Sequence, residues 1–324
     1  MRSSPYLQEL LVYIGHLDVY NQASEIISKL LRVGASTATV YRTSERYGAM
    51  LEGLLYQQED RQQPDQQQPA VEIAPEDVVY AGLDGSMLLT REGWREVKLG
   101  RVFTSAAIDD AASAGRGQPI IQSEYTAHLG RYEEFMRRFR VSIDRYGDLG
   151  ERLVFLSDGA RWISQSISSR YPRATHILDF YHAVEYLASY ALVGLSDAGQ
   201  RARWLAQQKA RLLAGHLDAI ITEVDLAGRD AGGDLAEAAE RLVSYYRSNR
   251  ERMRYDEYIR RGLYIGSGSI ESAHRTVIQK RMKLSGQRWT ISGAEHMLNL
   301  RVSSMSGNWS IVQELIRAKN PAVA

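Results

Sequence analysis

Cysteine is absent from this chain of 324 residues. That excludes a disulfide framework, thiolate metal sites and a cysteine nucleophile, and it fits a reducing compartment. Long apolar runs are missing too: none approaches the roughly 18–20 residues that span a bilayer. The first residues, MRSSPYLQELLVYIGHLDVY, lack the pattern of a signal peptide. The expectation is a cytoplasmic chain with no membrane partner. Net charge is nearly absent, at +1, which excludes a uniformly basic nucleic-acid binder. What remains is ordinary for a globular protein, 44% hydrophobic and 24% charged, and long enough for two or three domains.

The charge is unevenly spread. Residues 241–301 carry 13 Lys and Arg against 5 Asp and Glu, a local +8 that leaves −7 for the rest. A patch of that sign suits phosphates; a solvated helical face is the other reading. Within it lies GLYIGSGSIESAHRTVIQKRMKLSGQRW, residues 262–289. A Gly/Ser turn precedes one carboxylate, Glu271, just past the start of an expected helix. Five cations follow: Arg275, Lys280, Arg281, Lys283 and Arg288.

In chain order, residues 5–32 have helical periodicity. Gly34 allows a turn, and Ser36 or Thr37 can cap a next helix. Helix, turn and capped helix outline a helix-turn-helix with Thr39, Arg42 and Arg46 toward DNA; a plain packing hairpin fits the pattern as well. The segment QQEDRQQPDQQQPA, residues 57–70, holds seven Gln and two Pro and reads as a linker. Then come apolar runs that read as strands at 78–83, 86–90 and 94–103, an antiparallel meander. Residues 124–146 have one apolar face and read as a helix. Strands are expected again at 154–156 and up to Leu178, followed by helices from 183 to about 261 and two short helices over 290–318.

Aspartate stands at the expected ends of three strands: Asp84, Asp158 and Asp179. Taken singly, an Asp before Gly is most often a turn residue or helix cap. In a parallel sheet, however, equivalent strand ends lie about 4.8 Å apart. A helix crossing the sheet can add Glu271. Three ionised carboxylates that close need a cation or a proton. With oxygen ligands alone that cation is Mg²⁺ or Mn²⁺, and a pair of ions suits phosphodiester chemistry. Asp179 and His182 share a helical face at i, i+3; a structural role, Asp179 as helix cap and His182 as a donor behind the ligands, is preferred to direct ligation. Trp162 reads as packing. Trp289 has two readings, stacking on a base or packing in the core.

Three stretches in order, GLDGSMLLTREGWREVKLGRVF, FLSDGARWISQSISSRYPRATHILDFYHAVEYL and GSGSIESAHRTVIQKRMKLSGQRWTISGAEHMLNLR, resemble successive motifs of the ISKra group of bacterial insertion-sequence transposases. That group has a ribonuclease-H-like fold and an Asp-Asp-Glu active site. The resemblance covers about residues 75–310. It implies an α/β fold with a mixed five-stranded sheet flanked by helices and an all-helical insertion. It also implies Asp84, Asp158 and Glu271 as the metal-binding triad, with Asp179 and His182 matching an Asp-x-x-His signature. The expected organisation is a helical DNA-binding unit at 1–56, a linker at 57–75, catalytic core at 76–182, insertion at 183–261 and the rest of the core at 262–324. The implied activity is cleavage at the element's terminal inverted repeats and transfer of 3′-hydroxyls into target DNA, with Mg²⁺ or Mn²⁺ in a homo-oligomer. A nuclease that only hydrolyses, and a domesticated DNA-binding derivative, are the rivals. Family members often carry a longer N-terminal region, sometimes with cysteines, which this chain does not have.

Overall fold

The computed structural model describes residues 3–61, 71–108, 120–266 and 268–320. The Gln/Pro linker past Arg61, most of the loop expected over 104–122, Ser267 and the Trp162 side chain lie outside the described residues. The chain divides into two compact units, Met1–Leu149 with Ser269–Ala324, and Gly150–Gly268.

The first unit opens with three helices. In α1 (Pro5–Leu17) Pro5 occupies the first turn, where its missing N–H is harmless, and the Ser4 hydroxyl accepts from Leu7 N at 3.2 Å. The periodicity over 5–32 is broken at Asp18, whose Oδ1 accepts from Val19 N, so a second helix, α2 (Tyr20–Leu31), starts afresh. It ends at Arg32, in a left-handed conformation with φ 53°. Ser36 caps α3 (Thr37–Arg61), accepting from Thr39 N at 3.2 Å. That helix runs five residues into the Gln-rich stretch, since Gln and Glu are good helix formers and no proline intervenes before Pro64.

Strand β1 (Val79–Thr90) and strand β2 (Gly93–Thr104) make one long hairpin, paired from Val79↔Thr104 to Thr90↔Gly93. The two strands expected at 78–83 and 86–90 are therefore one. Asp84 lies mid-strand opposite Leu99, not at a tip. An unbroken ladder of twelve pairs overrides the poor strand propensity of Asp84-Gly85. Strand β3 (Glu124–Leu129) pairs antiparallel with β2, a second correction: the helix expected over 124–146 begins only with α4 (Tyr132–Asp144). Apolar residues at 125 and 129 satisfy a helical period, yet Tyr125, Thr126 and the break at Gly130 favour a strand.

The second unit holds β4 (Leu153–Ser157) and β5 (Thr175–Leu178), parallel to each other, with α5 (Arg161–Arg170) between them. The five strands form one mixed sheet in the order β3-β2-β1-β4-β5, an α/β topology compatible with a ribonuclease-H-like fold. After β5 come α6 (Phe180–Gly194), α7 (Ala198–Leu213), α8 (Leu217–Ala231), α9 (Gly233–Asn249) and α10 (Tyr255–Arg260). The chain turns at Gly215 (φ 77°) and Gly232 (φ 68°), where a side chain would be strained. Buried hydroxyls tie this unit: Tyr246 donates to Ala183 O at 3.0 Å and Tyr255 to Leu178 O at 3.0 Å.

The chain re-enters the first unit through α11 (Gly268–Ala273), a π-helical segment (His274–Gln279) and α12 (Lys280–Met282), followed by α13 (Ile291–Met305) and α14 (Trp309–Lys319). Ile270, Val277 and Met282 bury against Leu88, Val97 and Leu99 of the hairpin. Helix α13 is buried along most of its length. It meets α3 so closely that a Cβ at Gly48 would lie 2.6 Å from His296 Cβ. No helix among the described residues is long and apolar enough to cross a membrane.

Candidate functional site

The helix carrying Glu271 is seated on the sheet by backbone and small residues. Ser269 is buried, and its carbonyl accepts from Arg101 Nη1 on β2 at 2.8 Å. A Cβ built at Gly82 on β1 would meet Ile270 Cβ at 3.6 Å, an ordinary contact distance, so the helix lies directly against this strand. Two strand residues past Gly82, on the same face, is Asp84. Four helical residues past Ile270, on the same side, is His274. The rises match: two strand steps advance about 6.6 Å and four helical steps about 6 Å. Accordingly, His274 Nε2 faces Asp84 Oδ2 at 3.4 Å.

The other oxygen of Asp84 accepts from Gly85 N at 2.7 Å, and its side chain is 34% exposed. Lys283, exposed overall, is partly desolvated; that burial lowers its pKa, while the Asp84 carboxylate pulls the other way. One face of the first unit thus gathers Asp84, His274 and Lys283 beside the helix that bears Glu271. Glu271 and Arg275, four residues apart, are both exposed.

The predicted cations separate into two sets. Arg275, Lys280, Lys283 and Arg288 are exposed. Arg281 is 1% exposed, and both its Nε and Nη2 donate to Gly15 O at 3.1 Å. Its guanidinium also lies over the rings of Tyr20 and Trp289. Trp289 is buried too, and its Nε1 donates to Met282 O at 3.0 Å. Arg281, expected with the other cations to meet phosphate, instead packs the first unit, and of the two readings of Trp289 the structure shows packing in the core. Gly15 O belongs to the last turn of α1, whose carbonyls lack helical partners and attract a cation. Arg301, which the sequence reading did not single out, donates to the neighbouring His16 O and to Thr276 O and Val277 O of the π segment. On α3, Arg42 and Arg46 are exposed, with Arg42 Nε on Ala38 O at 3.2 Å; Thr39 is half-buried, its hydroxyl 2.9 Å from that of Ser36.

In the second unit Asp158 follows β4, and its Oδ1 accepts from Ala160 N at 3.0 Å. Asp179 follows β5 and is 1% exposed; its Oδ1 caps α6 by accepting from His182 N at 2.6 Å. The His182 ring pairs with Glu185 through Nδ1 at 3.2 Å. Tyr245 went unnoticed in the sequence. Its ring stacks on Tyr186 at 3.7 Å and 8°, and a Cβ at Gly159 would strike it at 2.5 Å. Burial raises its phenol pKa, with Tyr186 and Asp158 adding to the effect. His176, also unnoticed, is held neutral: burial and then Arg252 lower its pKa to about 3, and its Nε2 is 2.8 Å from Ser157 Oγ.

Asp84 and Glu271 belong to the first unit, Asp158, Asp179 and His182 to the second. Among the described residues, no three His, Asp or Glu side chains form a ready-made metal cage. The individual donors are carboxylate oxygens, the chemistry a hard divalent cation takes.

No family model matches the chain. Over 248 residues it is 23% identical to the "UPF0236 protein in vanSb 3'region" of Streptococcus gallolyticus, a match covering 75% of this chain and 53% of that protein. The similarity is distant, and the chain spans about half the length of the curated relative it matches.

Proposed function

We propose that the chain is a DNA transposase of the ISKra type, cutting the ends of its own element and joining the 3′-hydroxyls to target DNA. The observation that carries this reading is the seating of the Glu271 helix on β1 beside Asp84, in a mixed five-stranded sheet ordered β3-β2-β1-β4-β5. Asp84, Asp158 and Glu271 are the proposed ligands of Mg²⁺ or Mn²⁺, on the strength of their motif order and their oxygen donors. Bound in pairs, such ions supply Lewis-acid activation of the attacking oxygen and charge relief at the leaving one. The chain's own share is recognition and positioning. Arg275, Lys280, Lys283 and Arg288, all exposed, are proposed to track the phosphate backbone, and Arg42 and Arg46 to contact it from α3. Transposition joins two ends, so at least two copies act together.

The test uses the full chain, a duplex carrying the inverted repeats that flank its reading frame, and Mg²⁺. Cleavage that disappears in Asp84→Asn, Asp158→Asn and Glu271→Gln is the expected outcome. Wild-type cleavage by Asp84→Asn would end the proposal. Pre-cut ends separate the rivals: strand-transfer products mark a transposase, and hydrolysis alone marks a ribonuclease-H-like nuclease.

A further inference from the structure

We infer that His274 is a positioning residue of the same site: its ring fixes the orientation of the Asp84 carboxylate and thereby sets the site's affinity for a divalent cation. This rests on the reading of Asp84 as a metal ligand.

Four observations converge on His274. Its side chain is buried, at 4% exposure, in a place where a polar ring has to be justified, since burying a polar group without a partner is unfavourable. Neither ring nitrogen has a hydrogen-bond partner among the described residues. Yet Nε2 stands 3.4 Å from Asp84 Oδ2, facing it without hydrogen-bond geometry. Finally, the ring is presented by the first residue of a π-helical segment, His274–Gln279, a local widening common at functional sites.

That widening is built in. A π turn changes the hydrogen-bond partners of its carbonyls, and here the buried Arg301 guanidinium donates to two of them, Thr276 O and Val277 O. Val277 and Ile278 of the same segment are fully buried against the hairpin. The backbone that aims His274 is therefore held from behind by the core, while its ring points at a partly exposed acid. Ala273 before it and Val277 three residues on are buried and apolar, Arg275 next to it is exposed, and the charged group that Nε2 faces is Asp84. A short rotation of either side chain closes the 3.4 Å approach into a hydrogen bond; contacts of this kind often tighten only when the site is filled.

A carboxylate that binds a metal through one oxygen is usually held through its surroundings, and loss of such an outer partner typically lowers metal affinity about 10–100-fold. His274→Leu keeps the volume and apolar packing but removes the nitrogen. His274→Gln places an amide N–H near the Nε2 position. Binding of Mn²⁺ to the full chain, read from the electron paramagnetic resonance signal of free Mn²⁺, is compared for wild type, Asp84→Asn and both His274 variants, with thermal melts confirming that each folds. The inference predicts that His274→Leu binds Mn²⁺ about 10–100-fold more weakly, that His274→Gln recovers most of that loss, and that Asp84→Asn is impaired at least as much as His274→Leu. Unchanged Mn²⁺ affinity in His274→Leu, with Asp84→Asn impaired, overturns the inference and leaves the metal reading standing. Equal loss in the Leu and Gln variants also overturns it, because the ring would then act through packing. Unchanged affinity in Asp84→Asn removes the metal reading itself, and the inference with it. A variant that does not fold is replaced by His274→Asn, judged by the same criteria.

Discussion

In the first unit the decisive charges are inside. Arg281, Arg301, Arg138 and Glu295 are between 1% and 4% exposed. Each is matched: Arg281 and Arg301 to backbone carbonyls, Arg138 to Glu295. Glu295 further accepts from Leu129 N at 2.8 Å and bonds His128 Nδ1 at 2.9 Å. Burial pushes its pKa up, but the bond and charge of His128, then Arg138 and the Leu129 N–H, outweigh burial and hold it below the usual carboxylate value. In the second unit the ion pairs sit in solvent, as in Arg229–Asp225, Arg241–Glu237 and Arg250–Asp218. The same residue types do two different jobs. Inside, a guanidinium satisfies carbonyls that a helix end or a π turn leaves over. Outside, it adds solubility and a weak attraction screened by salt.

The contrast is sharpest in stability. Glu295→Leu removes the buried acid that Arg138 and His128 share, leaving His128 its bond to Glu134 and Arg138 the longer approach to Glu52, and is expected to destabilise by about 3–5 kcal/mol, read from urea unfolding. A loss near that of a surface pair would show the first unit to be no different from the second. Tyr246→Phe, which removes the Ala183 bond in the second unit, is expected to cost about 1 kcal/mol in the same assay. Asp225→Asn, which weakens the exposed pairs with Arg229 and Arg247, should change stability by less than about 1 kcal/mol, with the effect vanishing in high salt.

The alkaline side also separates the units, whereas the acid side is common to both. Hydrogen bonds to Glu45 and then Glu52 raise the His296 pKa from 6.5 to about 9. The stability this adds is full below pH 6.5 and is lost as pH rises through about 9. His16 behaves oppositely: burial, then Arg301 and Arg281, lower it to about 3, so stability falls as pH drops from 6.5 toward 3. His176 adds an acid-side loss of the same sign in the second unit. In a pH series of melts, His296→Gln should flatten the alkaline side and leave the acid side intact. The smallest expected effect concerns DNA. Replacing Arg288 with Gln should reduce the salt slope of DNA binding by about 0.9 if it meets one phosphate, whereas a surface cation facing only water leaves the slope unchanged.

Much of this was legible in the residues. A cap at Ser36 or Thr37, which falls on Ser36, the strands ending before Asp158 and Asp179, the run of helices after 183 and the start of the Glu271 helix all follow from local signals. Such features depend on residues within a few positions of one another. The errors share one cause. Asp84 reads as a strand end because the partner that carries β1 past it, β2, lies elsewhere in the chain, and at 124–129 the local strand signals of Tyr125 and Thr126 compete with a helical period until pairing with β2 decides between them. His274 carried a weak signal, three residues past Glu271, that only its nearness to Asp84 makes meaningful.

By itself the sequence determined the α/β class, the acids available for chemistry and the order in which they appear. Those are properties of composition and short-range pattern. Tertiary structure alone decided which cations are surface and which are mortar. Arg281 and Lys283 are two residues apart, yet one is 1% exposed and bound to Gly15 O while the other is exposed near Asp84. The physical reason is that a charge is placed by whatever accepts its hydrogen bonds, and for Arg281 that acceptor lies 266 residues away in the chain.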